Sequence, residues 1–470
     1  MIAQLKRLGS DSLLYAFMNV GTKLIAFALF PFYTYYLADV AEFGRLDIID
    51  RSLSMLTFLV IFGTDSALAY YYYDVKDTNE RLKYIRSVMM VRLTILLVIV
   101  GGVFTTGPYL SSWILDDSNY VYLFYIALGT LMLDTILAVV LTVLRYQFKT
   151  KKVVLLTLSK MLLIAILSLA VLHFISPTVE GVLMARLAAT LAITLLVGTV
   201  AIKFIKPIWD KAVFKKILWY AAPLVPASLA FWVILNMNTF VLKEFRSLEE
   251  VGIYGTAIKF ATFITLLTSG IQLAWRPFSM EKKNNPDTPI LFSKIYALLL
   301  VVGGIGILLL TEMMPWIIKV LEDSYQSAYI YVGPIAIATF LNFYYLIVSS
   351  GIFFTKKTKV ISYVFGAVSV FSIVAALLVI PPYGIWGAIV VYVFSYAIAT
   401  VIIYGKSQQY YYVPLSIVKL ISSIVLICAS VALLTWIQLM DFTIIWHVLP
   451  WILFFVGMFA IRLDKIFKTT

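Results

Sequence analysis

The chain has 470 residues, 62% of them hydrophobic and only 13% charged, with a formal net charge of +13. A soluble globular domain is about 45–50% apolar and about 25% charged, so this composition excludes one and points to a polytopic membrane protein. The single cysteine, Cys428, excludes an intramolecular disulfide framework, and the two histidines, His173 and His447, have no clustered ligand types that favour a metal site.

A helix needs about 20 apolar residues to cross a hydrocarbon core of about 30 Å. About 14 such segments are predicted, at 11–37, 46–73, 87–107, 120–145, 153–175, 180–203, 217–242, 250–276, 292–318, 327–354, 359–380, 384–405, 415–437 and 443–462. The first is longer than the 7–15 residues of a signal-peptide core and reads as a transmembrane helix. The linker at about 203–216 is predicted to hold a short interfacial helix. Tyrosines gather at span ends, at Tyr33, Tyr35 and Tyr36, at Tyr70 to Tyr73 and at Tyr410 to Tyr412, and are predicted to form an interfacial belt.

Connections alternate in charge. One side carries Lys6 and Arg7, Lys76 to Arg86, Arg145 to Lys152, Lys203 to Lys216, Arg276 to Lys294, Lys356 to Lys359, Lys406, and the tail residues Arg462, Lys465 and Lys468. The other side carries Arg45, Lys243, Arg246 and Lys319 among many acids. The positive-inside rule then places both termini in the cytoplasm, attributes the net charge to loop bias, and leaves no role for nucleic acid.

Three basic residues fall inside apolar runs, where a charge costs roughly 2.5–3.5 kcal/mol on insertion scales. Lys23 lies about a dozen residues from either end of its run, about 18 Å deep at 1.5 Å per residue, too far to snorkel. Asn19 is one turn earlier on the same face. Arg51 has Asp47 one turn before it, so a local ion pair competes with ligand binding. Lys259 is flanked by Gly252, Gly255, Thr256 and Thr262. The shift that carries Glu42-Phe43-Gly44 onto Glu250-Val251-Gly252 carries Arg51 onto Lys259, a parallel internal repeat of the kind that brackets transporter sites.

Asp134, mid-span, is expected either to balance one of these cations or to bind a coupling H⁺ or Na⁺, and Asp65 is a weaker candidate for the same roles. Arg92, Lys160 and Arg186 lie closer to span ends and are expected to snorkel. No nucleophile–histidine arrangement and no phosphate-binding P-loop is present in the sequence, so an enzyme is not expected.

The stretch Gly252-Ile253-Tyr254-Gly255-Thr256-Ala257-Ile258-Lys259, ending at Ala274-Trp275-Arg276-Pro277-Phe278, resembles helix eight of bacterial polysaccharide (oligosaccharide) flippases. Gly63-Thr64-Asp65-Ser66-Ala67-Leu68 and the Glu42-Phe43-Gly44 turn are similar to the same Wzx-like family, within the multidrug/oligosaccharidyl-lipid/polysaccharide exporter superfamily. The resemblance implies an all-α membrane protein with two parallel six-helix lobes, 1–205 and 206–408, and two appended helices in 409–470. In the peptidoglycan-precursor branch cations of helices one, two and eight line the cavity, and Lys23, Arg51 and Lys259 occupy those places here. Two of them are lysine where that branch has arginine, which weakens bidentate phosphate recognition.

The implied function is translocation of a polyprenyl-diphosphate-linked oligosaccharide across the cytoplasmic membrane. Membrane lipids are the surroundings, and a glycan polymerase and glycosyltransferases are candidate partners. An ion-coupled multidrug exporter is the alternative, and it needs an acidic cavity for organic cations. A membrane glycan polymerase or ligase is the lesser alternative, disfavoured by the short outward loops.

Overall fold

The computed structural model describes residues 2–75, 77–206, 208, 210–222, 225–355 and 357–461. Lys76, Lys356, Arg462, Lys465 and Lys468 of the charge pattern lie outside the described residues. The chain folds as two compact units, 1–232 and 233–470.

The first unit holds α1 (Ile2–Tyr36), α2 (Val40–Ile61), α3 (Thr64–Asp74), α4 (Thr78–Leu115), α5 (Val121–Tyr146), α6 (Thr150–Phe174), α7 (Val179–Leu196), α8 (Gly198–Ile205) and α9 (Lys211–Ala221). The division falls inside α10 (Val225–Phe245). The second unit continues with α11 (Leu248–Ala261), α12 (Phe263–Lys282), α13 (Thr288–Ile317), α14 (Tyr329–Val348), α15 (Ser350–Phe354), α16 (Lys359–Tyr410), α17 (Ile417–Leu439) and α18 (Val448–Ala460).

Eleven helices among the described residues are long and apolar enough to cross a membrane, and twelve if the bent pair α11–α12 is one span. The 52-residue α16 is itself two helices joined at Gly384, whose φ of 54° and ψ of −130° is open to glycine alone. The ring of Tyr345 meets that of Phe365 at 4.9 Å, Tyr331 meets Trp386 at 5.0 Å, and Thr400 donates to the Leu341 carbonyl at 3.5 Å. The first half of α16 therefore runs antiparallel to α14 and the second half returns beside it. Counting that hairpin as two spans and adding the shorter apolar Ile444–Ala460 accounts for the expected fourteen.

Hydropathy did not foresee the breaks. The second span is interrupted where Phe62 and Gly63 both take left-handed conformations, at φ 48° and 67°. Two consecutive residues there end the α2 ladder and start α3 afresh. The eighth span bends by 42° at Thr262. The expected seventh span, 217–242, starts too early: residues 217–221 belong to α9, which begins where Asp210 accepts hydrogen bonds from the Ala212 and Val213 amides. Ile217 and Ala221 of α9 are buried in the first unit's core with Ala67, Val88 and Val140. That core contact, rather than apolarity for lipid, explains the run's hydropathy.

The internal repeat has a structural counterpart. Asp39 caps α2 by accepting from the Glu42 amide at 2.7 Å, and Ser247 caps α11 by accepting from the Glu250 amide at 3.2 Å. Both capping residues are extended, at φ −156° and −154°. The shift that carries Glu42 to Glu250 thus carries cap to cap and Val40 to Leu248, the first helical residues. Each cap satisfies one of the helix's orphan amides. The two helices then diverge: α2 runs to Ile61, whereas α11 ends at Ala261, just past Lys259.

The tyrosine belt is only partly a belt. Tyr33 and Tyr72 are 4% and 6% exposed and pack inside the first unit, while Tyr35, Tyr70 and Tyr412 are open. Tyr33 donates to Ser168 at 3.4 Å, and Tyr72 packs near Tyr146 at 5.0 Å. Clustered rings of this kind gain from mutual packing as well as from the interface.

Candidate functional site

Lys23 projects from the middle of α1 and is exposed, as is Asn19 one turn earlier. Arg51 is buried on α2 and its Nε donates to Asp47 Oδ2 at 2.7 Å. The pair is local, from residues one turn apart, and holds the guanidinium against its own helix. A planar guanidinium keeps further N–H donors when one edge is engaged, so this pairing orients Arg51 rather than consuming it.

In the second unit, Lys259 is half-buried in the last turn of α11. The bend at Thr262 places it where the helix carbonyls end, and the Thr262 hydroxyl donates to the Lys259 carbonyl at 2.6 Å. A cation is favoured at that negative end of the helix dipole, which offsets part of its burial cost. Gly252, Gly255 and Thr256 on the same helix are buried.

Asp134 and Asp65 are each engaged by a cation other than these three. Asp134 on α5 accepts a short hydrogen bond from Lys160 on α6. Asp65, in the first turn of α3, takes Arg92 Nη2 from α4 at 2.6 Å, while Arg92 Nε donates to Thr64 at 2.8 Å. Asp50 on α2 takes Arg186 of α7 at 2.5 Å. Arg92, Lys160 and Arg186 therefore do not snorkel as expected; each is held by a carboxylate of another helix. An ionised carboxylate within reach is a better partner at this depth than a distant headgroup. Arg92, 1% exposed, staples the break between α2 and α3 from across the unit.

Arg92 and the Lys160–Asp134 pair line a half-open cavity of about 350 Å³ within the first unit, together with Thr22, Thr57 and Thr135 among others. The Thr157 hydroxyl, also at this cavity, is buried with no hydrogen-bond partner among the described residues. The charged groups in the cavity's mostly apolar lining are Arg92, Lys160 and Asp134, and Arg92 is balanced by Asp65 outside the lining. Sequence reasoning found Asp134 and Asp65 but missed their partners Lys160 and Arg92, and missed the separate Arg186–Asp50 pair.

The second unit holds a larger, apolar cavity of about 630 Å³ between α14, the returning half of α16 and α17, lined by Trp386, Phe394, Cys428 and Trp436 among others. Beside the α16 turn, Arg246 donates to Glu250 at 2.9 Å, one turn apart around the α11 cap.

No curated protein matches the chain. Among solved structures it is similar to "Lipid II flippase MurJ, inward closed conformation", with a TM-score of 0.72 and 14% identity over 96% of this chain and 98% of that one. It is also similar to "Inward-facing conformation of a multidrug resistance MATE family transporter of the MOP superfamily", with a TM-score of 0.55 and 13% identity over 84% of this chain and 94% of that one. At such identities the likeness establishes a shared fold. The family model described as "Polysaccharide biosynthesis protein" matches residues 8–283, a stretch that holds Lys23, Arg51 and Lys259 together with the Arg51–Asp47, Arg92–Asp65, Lys160–Asp134 and Arg186–Asp50 pairs. This all-helical, multi-pass membrane protein belongs to the polysaccharide biosynthesis protein family.

Proposed function

We propose that the chain is a flippase that carries a polyprenyl-diphosphate-linked oligosaccharide from the cytoplasmic to the outer leaflet of the cytoplasmic membrane, by alternating access. Lys23, Arg51 and Lys259 are its candidate diphosphate ligands, with Asn19 beside Lys23. A diphosphate carries about two negative charges, which a few cations in a low-dielectric site match. The observation that carries the reading is Lys23, an exposed lysine in the middle of an apolar helix, inside the span matched by a polysaccharide biosynthesis family. Such a side chain is retained at depth where it meets an anion or water.

Asp134 with Lys160 is the candidate coupling or charge-balancing pair, with Asp65 and Asp47 in the second of those roles. The loop charges support cytoplasmic termini, and a glycan polymerase and glycosyltransferases are the candidate partners.

The test is surface glycan export in producing cells that carry Lys23→Gln, Arg51→Gln and Lys259→Gln, singly and together. Loss of export with lipid-linked saccharide accumulating supports the reading; normal export from the triple variant at wild-type protein level overturns it. The MATE-like fold keeps a drug exporter as the second reading, and efflux of a cationic dye from cells expressing the chain decides for it.

A further inference from the structure

The tyrosine run at the end of the second span does more than mark an interface. Tyr71 stacks on Tyr84 of α4 at 5.0 Å, with the rings 11° from parallel. Tyr70 meets Tyr71 edge-on at 5.1 Å and stacks on Tyr220 of α9 at 5.4 Å. Four phenol rings from three helices thus form one continuous surface. Tyr84 is its buried root, and Tyr70 and Tyr220, 56% and 38% exposed, are its open end. Trp219 beside them is 79% exposed. On the exposed face of α9, Lys215 and Lys216 lie one turn before Trp219 and Tyr220.

We infer that this aromatic surface is a docking platform for the saccharide head of the lipid-linked substrate, engaged on the lysine-rich side before translocation. The inference rests on the flippase reading and adds a site that Lys23, Arg51 and Lys259 do not include. A pyranose ring has a face of C–H bonds that packs flat on a phenol, while the phenol hydroxyls answer its edge hydroxyls. Rings that serve only the interface spread around the perimeter to reach headgroups. Here they converge and leave one open end. Lys215 and Lys216 supply positive charge beside it for the adjoining diphosphate.

The test places a photocrosslinker at the rim, as Trp219→p-benzoylphenylalanine, in the full chain in membranes of glycan-producing cells. Adducts are weighed before and after mild acid, which cleaves the sugar–diphosphate bond and leaves phospholipid adducts intact. The expected result is an acid-labile saccharide adduct. It falls about fivefold or more in Tyr70→Ala/Tyr220→Ala, which lose the ring faces, and persists in Tyr70→Phe/Tyr220→Phe at equal protein level. Phospholipid adducts alone, no adduct, or an adduct indifferent to the alanine pair overturns the platform. The adduct is also expected to survive Lys23→Gln/Lys259→Gln. Failure of the cation reading shows separately, as normal export from those variants.

Discussion

Arg51 Nε and Asp47 Oδ2 lie 2.7 Å apart on one face of α2, and both side chains are about 10% exposed. A pair this buried is costly to break from one side, about 3–5 kcal/mol, because the remaining charge is left without its partner. Asp47→Asn is therefore expected to lower the protein's abundance in the membrane and its detergent Tm. Asp47→Asn with Arg51→Gln removes both charges and should recover most of that abundance while export stays low. Immunoblots of membranes beside glycan export separate the two effects; full export from the double variant removes Arg51 from the substrate site.

Gly384 faces the Arg246–Glu250 ion pair. A Cβ there would sit 2.6 Å from Glu250 Oε2, on a backbone at φ +54°. Gly384→Ala is expected to cost about 1–3 kcal/mol from backbone strain alone, with steric displacement of Glu250 in addition. Thermal unfolding of purified protein should show a Tm several degrees lower. Glu250→Ala, which removes the closest contact and leaves Arg246 Nε at 3.1 Å and the φ strain, is expected to recover only part of that loss when combined with Gly384→Ala.

What could be read from the residues alone depended on distance along the chain. Arg51 and Asp47 are one turn apart, so their pairing was visible in the sequence. Arg92 and Asp65, or Lys160 and Asp134, sit on different helices, and depth along one's own span says nothing about a carboxylate across the unit. The fourteen apolar segments were legible because membrane thickness sets helix length. The break at Phe62–Gly63 was not, since a hydropathy window averages over a residue that turns left-handed, and α9 was foreseen only as a short linker helix whose last turn, 217–221, was assigned to the next span. Such a window also cannot distinguish a helix buried in protein from one facing lipid. The repeat was legible in Glu42 and Glu250, and its caps, Asp39 and Ser247, share a function without sharing a residue type.

Asp134 and Lys160 test what the first-unit cavity is for. Asp134→Asn leaves the lysine beside a neutral amide and is expected to reduce export and protein level together. Asp134→Leu with Lys160→Met replaces the partly exposed pair by apolar groups and leaves neither charge alone. The expected result is recovered protein level with at least about half of wild-type export, the behaviour of a charge-balancing pair. Recovered protein level with export abolished assigns the pair to ion coupling instead, and loss of wild-type export on collapse of the proton gradient or of the sodium gradient would identify the ion.

Lys23 and Lys259 differ in surroundings, so their variants should differ in kind. Lys23 is exposed on α1, and a substitution that removes only its charge disturbs little packing. Lys23→Gln is expected to keep membrane abundance near wild type while export falls about tenfold or more, the loss of one charge-assisted contact of about 1.5–3 kcal/mol. Lys259 closes the last turn of α11 at the 42° bend, where its charge also meets the helix dipole. Lys259→Gln should therefore lower thermal stability as well as export, and Lys259→Arg should restore stability first, because any cation serves the helix end. If Lys259→Arg restores stability and export alike, the site reads charge alone; if export stays low, it reads the compact ammonium shape that distinguishes lysine from arginine. Measuring Tm and export on wild type and these three variants decides between these.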